Sequence, residues 1–188
     1  MAVTTLVPPS GLPVTLASIK QHLRLADTDE DNYLLELADG ATTYVESHIR
    51  QCLVERTVRQ YVDGSSVSRI VELECWPVKT IVGVTVYDIN GDPATLADGD
   101  HVLRTSSDPA TFSLKPSLGL SGVRDGMEID YLAGYGETSL DIPSNMVRAI
   151  HLVIAHWYEF RGAGISELQH SLPHGIERLL APTRRVRI

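Results

Sequence analysis

Cysteine, basic charge and long apolar runs are what this 188-residue sequence has least of. Its two cysteines, Cys52 and Cys75, are too few for a disulfide framework, and neither stands in a Cys-x-x-Cys pair of the kind redox or zinc chemistry uses. Both read as buried thiols in strands. No run approaches the ~20 apolar residues of a membrane span. Met1 to Pro13 lacks the basic and apolar regions of a signal peptide, so the product is expected to be soluble, made in a cytoplasm and free of membrane contact. Lys and Arg number 16 against 24 Asp and Glu, a net charge of −8. A protein whose main task is gripping phosphates uses a broad basic face, and this total argues against that task. Apolar residues are present in ordinary measure, 43%, which supports a real core and excludes a disordered tail protein. The length fits one domain, or one domain carrying a sizeable insertion.

Along the chain, hydrophobic periodicity changes twice. After Pro8, Pro9 and Pro13, Thr15 is placed to cap a helix with Leu16, Ile19 and Leu23 on one face, running to about Leu25. Thr28 and Asp31 stand in capping-box relation ahead of a second helix, in which Leu34, Leu37, Ala38, Ala41, Val45, His48 and Ile49 share a face to about Arg50. The texture then turns to period two. Residues 53–62, 68–75, 78–88, 101–104, 111–115 and 127–132 read as strands, with turn signals at Asp63-Gly64, Trp76-Pro77 and Asn90-Gly91. Helical spacing returns after Gly134-Tyr135-Gly136, where Asp141 is placed as a cap, Pro143 sits in the first turn, and Met146, Val147, Ile150, Val153, Ile154, Trp157 and Tyr158 form a stripe. A last amphipathic piece, 176–181, is closed by Pro182. The expected fold class is α+β: a small helical bundle from residues 1–52 and 133–188, with an inserted antiparallel β unit over 53–132.

A search for chemistry returns little. Asp27, Asp29 and Asp31 have calcium-loop spacing, but Asn32 stands where that loop needs Gly and Ala38 where it needs Glu. Asp88, Asn90 and Asp92 fail in the same way, with Pro93 and Gly99 at those positions. His151 and His156 are wrongly spaced for a zinc helix, and Pro173 breaks any helix that would align His170 with His174. Glu128 and Asp130 alternate with Met127, Ile129 and Tyr131, as the outward face of a strand does. There is no nucleophile elbow and no Walker loop, and Gly134-Tyr135-Gly136 lacks the third glycine of a dinucleotide fingerprint. No catalytic residue, metal or cofactor is expected.

Several segments, taken in order, resemble one family. Pro13-Val14-Thr15-Leu16-Ala17 through His22-Leu23-Arg24-Leu25, the Asp-rich stretch 27–31, and the helix ending near Tyr44-Val45-Glu46 are one part. Ile129-Asp130-Tyr131-Leu132-Ala133-Gly134-Tyr135-Gly136, Ile142-Pro143, Ala149-Ile150 and Ala155-His156-Trp157-Tyr158-Glu159 are another. Leu172-Pro173-His174-Gly175-Ile176, Leu179-Leu180-Ala181-Pro182 and Arg184 complete the series. It is similar to the head–tail connector (adaptor) proteins of tailed bacteriophages, prophages and gene transfer agents. That family often has a tyrosine where this chain has Thr183.

The resemblance implies a structural virion protein and no enzyme: a ring of about twelve copies beneath the portal, assembled in the bacterial cytoplasm. The ring extends the DNA channel and receives the next tail component, a stopper or tail terminator. DNA passes through it without specific binding. An acidic body suits such a channel, because like charge prevents sticking. Residues 176–188 carry a net +3, leaving −11 on the rest. In that tail Leu179, Leu180, Arg184, Arg185, Val186, Arg187 and Ile188 are the expected portal-binding residues, by analogy with connectors whose C-terminal segments grip the portal. The Gly-rich loop 117–126 and the hairpin tip 88–93 are candidates for contact with neighbouring subunits or the tail. The rival readings are a small metal-dependent hydrolase using the acidic cluster and a nucleic-acid-binding regulator using Arg184, Arg185 and Arg187.

Overall fold

The computed structural model describes residues 2–64, 70–107, 109–115, 126–160 and 174–183. The chain is α+β, as expected, and divides into two compact units: Gly11–Val54 with Tyr135–Ile188, and Met1–Ser10 with Glu55–Gly134.

The first unit is helical: α1 (Leu16–Leu23), α2 (Asp31–Ile49), α3 (Ser144–Glu159) and α4 (His174–Leu180). Thr15 has the extended backbone of a cap, and its hydroxyl accepts the Ser18 N–H at 3.2 Å. Leu34, Ala38, Ala41, Val45 and Ile49 of α2 recur at three- and four-residue spacing. They meet Ile19, Met146, Ala149, Ile150, Val153, Ile154, Ile176 and Leu180 in one core. Each fully buried Leu or Ile there contributes about 1.5–3 kcal/mol. Gly40 leaves a notch in α2: the Trp157 ring lies 3.3 Å from the point a Cβ would occupy.

Two expected caps are replaced by other partners. Glu30, not Thr28, is the residue flanking α2, and it makes no side-chain cap. Its carboxylate instead accepts the Tyr158 hydroxyl, while Asp31 takes the Lys20 ammonium at 2.7 Å. These partners come from other helices and draw the carboxylates away from the local backbone. Pro143 flanks α3 without a side-chain cap, because Asp141 turns back to accept the Thr138 N–H at 3.0 Å and its hydroxyl at 2.8 Å.

The second unit holds two antiparallel sheets. The larger has the order β1-β2-β8-β4-β5, from β1 (Ala2–Val7), β2 (Arg56–Val62), β8 (Gly126–Ala133), β4 (Val78–Tyr87) and β5 (Pro93–Thr95). The smaller has the order β3-β7-β6, from β3 (Ile70–Glu72), β7 (Thr111–Leu114) and β6 (His101–Arg104). Val58, Gln60 and Val62 pair with Tyr131, Ile129 and Met127, and all six are buried. With Val84, Val86, Val71, Phe112 and Leu114 they fill the core of this unit. Gln60 is its polar pin. Its amide donates to the Glu72 carbonyl at 2.9 Å and accepts the Glu74 N–H at 2.9 Å and the Tyr131 hydroxyl at 3.1 Å, so its burial leaves no polar group unmatched. Gly126 sits at φ +122, where a Cβ would lie 2.8 Å from the Val62 carbonyl.

Strand β1 falls in what reads from sequence as the lead-in to the first helix. It pairs with β2 from Ala2↔Tyr61 to Val7↔Thr57, with a register shift between Thr5 and Val7. Five of its six residues are exposed, so no alternation of apolar and polar residues marks it as a strand. The unit boundaries at 54/55 and 134/135 fall within two residues of the change in period.

Candidate partner-binding surfaces

The expected portal-binding residues divide at Thr183. Leu180 is buried in the bundle core and Leu179 is half-buried against it, so in this chain both root α4. Arg184, Arg185, Val186, Arg187 and Ile188 lie outside the described residues, as does most of loop 117–126.

Thr183, the last described residue, is held by a side chain that no local pattern in the sequence marks. Gln51, 7% exposed, donates its amide N–H to the Thr183 carbonyl at 2.5 Å and accepts the Tyr135 hydroxyl at 2.7 Å. Burial pushes the Tyr135 phenol pKa up. Asn145 donates to the Leu179 carbonyl at 3.3 Å. Glu46 sets the position of Gln51: its carbonyl accepts the Gln51 N–H at 3.3 Å, and its carboxylate accepts the Leu53 N–H at 2.7 Å. Tyr135 then donates its N–H to the Leu53 carbonyl at 3.0 Å, and Val54 bridges Gly136. A Cβ on Gly136 would fall 2.3 Å from that of Asp141. Glu46 and the Gly134-Tyr135-Gly136 segment, distant in sequence and both parts of the resemblance, thus meet around residues 51–54. No local period marks Gln51, because its partners are supplied by segments far along the chain.

The hairpin tip 88–93 is well formed. The Asp88 carboxylate accepts the N–H groups of Asn90 at 2.7 Å and Asp92 at 3.0 Å. These bonds, that of Asp92 first, hold its pKa below the usual carboxylate range. Gly91 takes φ 83, and Ile89 is 71% exposed at the tip. In the helical unit Leu140 is 93% exposed between β8 and α3, an apolar side chain that a lone Leu in a polar loop did not flag. Single exposed apolar residues are ordinary, but these two are offered on short, hydrogen-bonded turns.

On the outward face of the larger sheet, Arg59 binds Asp130 through two bonds, at 2.6 and 2.7 Å, and Glu128 at 2.8 Å. The hydrogen bond to Asp130, reinforced by the charges of both carboxylates, holds the guanidinium in its charged form. The two carboxylates are therefore held by a cation on a strand face rather than left free for acid and base work. Among the described residues no group of three or more His, Cys, Asp or Glu could hold a metal ion. No helix among them is long and apolar enough to cross a membrane.

The comparisons with known proteins align with this picture. No curated protein matches the chain. Solved chains that share its fold include three from gene transfer agent particles. One, from the neck of an empty GTA particle computed with C6 symmetry, is 23% identical over 100% of this chain and 97% of its own, with a TM-score of 0.81. Another, from the virion of a native gene transfer agent (GTA) particle, gives the same figures. A third, from the neck of a native GTA particle computed with C12 symmetry, is 24% identical with the same coverage and a TM-score of 0.78. Residues 13–98, a little under half of the chain and reaching from α1 to beyond β5, match the family model described as Phage gp6-like head-tail connector protein, so the connector resemblance read from the residues is shown over that segment, and the fold match extends across the whole chain.

Proposed function

We propose that the chain is a structural head–tail connector of a phage or phage-like particle and not an enzyme: copies form a ring beneath the portal, extend the DNA channel and join the capsid to the tail. The whole-chain fold match to neck chains carries this reading, and the connector match over residues 13–98 supports it. The chemistry agrees with the role. The carboxylates of Glu128 and Asp130 are held in ion pairs and that of Asp88 in a turn, whereas exposed apolar side chains stand on ordered tips.

In this reading residues 184–188, leaving Thr183 at a point held by Gln51, dock onto the portal as an arginine-rich segment with Val186 and Ile188 among the charges. Leu179 and Leu180 anchor the segment at its root. The body, at −11 without its basic end, forms a wall along which DNA slides, because like charge prevents binding. Electron microscopy of particles carrying this chain tests the proposal. A ring of the chain between portal and tail is expected, and its absence from the neck would overturn the reading.

A further inference from the structure

An open cleft of about 320 Å³ lies between α1 and α3. The polar residues lining it are Ser18, Gln21, His22, Ser144, Arg148 and His151, with Val147 between them and no carboxylate. The chain has eight more acidic than basic residues, yet this recess is lined by none of them and carries the Arg148 guanidinium. The His151 ring is fixed at both nitrogens: Nδ1 lies 2.9 Å from the Val147 carbonyl, to which it donates, and Nε2 lies 3.1 Å from the Ser18 hydroxyl. The His22 ring lies 5.3 Å from that of His151. Burial, followed by the charges of His151 and Arg148, holds the His22 pKa below its usual value, as expected where cationic groups crowd without a counter-charge. Among the described residues neither His22 nor Arg148 forms an ion pair.

A complementary patch lies on the same unit. Asp27 and Asp29 are exposed on the loop between α1 and α2, and among the described residues neither forms an ion pair, while the neighbouring Asp31 is taken by Lys20. We propose that the cleft between α1 and α3 receives the carboxylates of this loop from a second copy of the chain. Two unlike, complementary patches on one subunit make a heterologous contact, the kind that closes into rings. The inference therefore rests on the ring reading above. A nucleic-acid phosphate is the less favoured occupant, because the polar groups form one recess rather than a track along which a nucleic-acid backbone would run.

The test uses the full chain with labelled histidines and a peptide spanning residues 24–32, followed by the imidazole resonances of His22 and His151. The peptide is expected to shift both resonances, and Arg148→Glu in the chain, or Asp27→Asn with Asp29→Asn in the peptide, to weaken binding about fivefold or more. Inorganic phosphate is the second probe and is expected to bind more weakly than the peptide. Absence of shifts, equal binding of the doubly substituted peptide, or phosphate binding as tightly as the unsubstituted peptide would each overturn the inference. Failure here appears as unmoved histidine signals in solution, whereas failure of the ring reading appears as a neck without the chain in microscopy.

Discussion

Gln51 shows how one amide ties distant parts of a chain together. It satisfies the Tyr135 hydroxyl and the Thr183 carbonyl at once, and no leucine or alanine can do either. Gln51→Leu is therefore expected to destabilise the protein by about 1–3 kcal/mol, the range for leaving buried polar groups unmatched. A fall in the urea midpoint with an unchanged slope is the check. The same variant is expected to speed proteolysis around residues 181–183, because the bond to the Thr183 carbonyl holds the turn that follows α4. Gln60 illustrates the same rule in the β unit, where one side chain closes three hydrogen bonds.

Among the helices, α2 and α3 meet closely at Gly40. Gly40 stands on α2 where the Trp157 ring closes to 3.3 Å of its missing Cβ. Gly40→Leu has no room there, and overpacking of this kind typically costs about 1–3 kcal/mol. A lowered melting temperature together with a changed Trp157 fluorescence is the expected result; an unchanged melt would show that the ring has space to turn aside. The elements also show what is legible in sequence. The apolar stripes of α1, α2 and α3 and the alternation of β8 are written locally, in residues three, four or two apart, and the structure follows them. The caps at Thr28 and Asp141 failed because Lys20, Tyr158 and Thr138 compete for the carboxylates involved. Strand β1 escaped because its partner is β2 and its side chains are mostly exposed. The candidate site was legible only as far as α4. The residue that fixes its end, Gln51, is defined by contacts made across the chain.

At the scale of the whole molecule, charge is divided between an acidic body and a basic end, a net −11 against +3. If the end is the portal hook, removing residues 184–188 while keeping Thr183 leaves the Gln51 bond intact and deletes only the hook. Portal affinity is then expected to drop about tenfold or more, with the melting temperature unchanged. Portal affinity equal to that of the intact chain would sink the assignment. The test separates docking from folding because the deletion stops short of every described hydrogen bond of the bundle.

The membership of β1 in the sheet also bears on the order of synthesis. Ala2–Val7 leaves the ribosome before α1 and α2, yet its hydrogen bonds wait for Arg56–Val62. The helical unit in turn waits for α3, which follows the last strand. The β unit opens before the first helices and closes after them, and the helical unit is complete only once the β unit has been made, so the two interleave in time as well as in sequence. Such non-local closure slows folding, and it leaves β1 an uncharged strand with nothing to pair with until the first two helices have been translated. A fusion placed ahead of Ala2 is accordingly a fusion to a sheet edge.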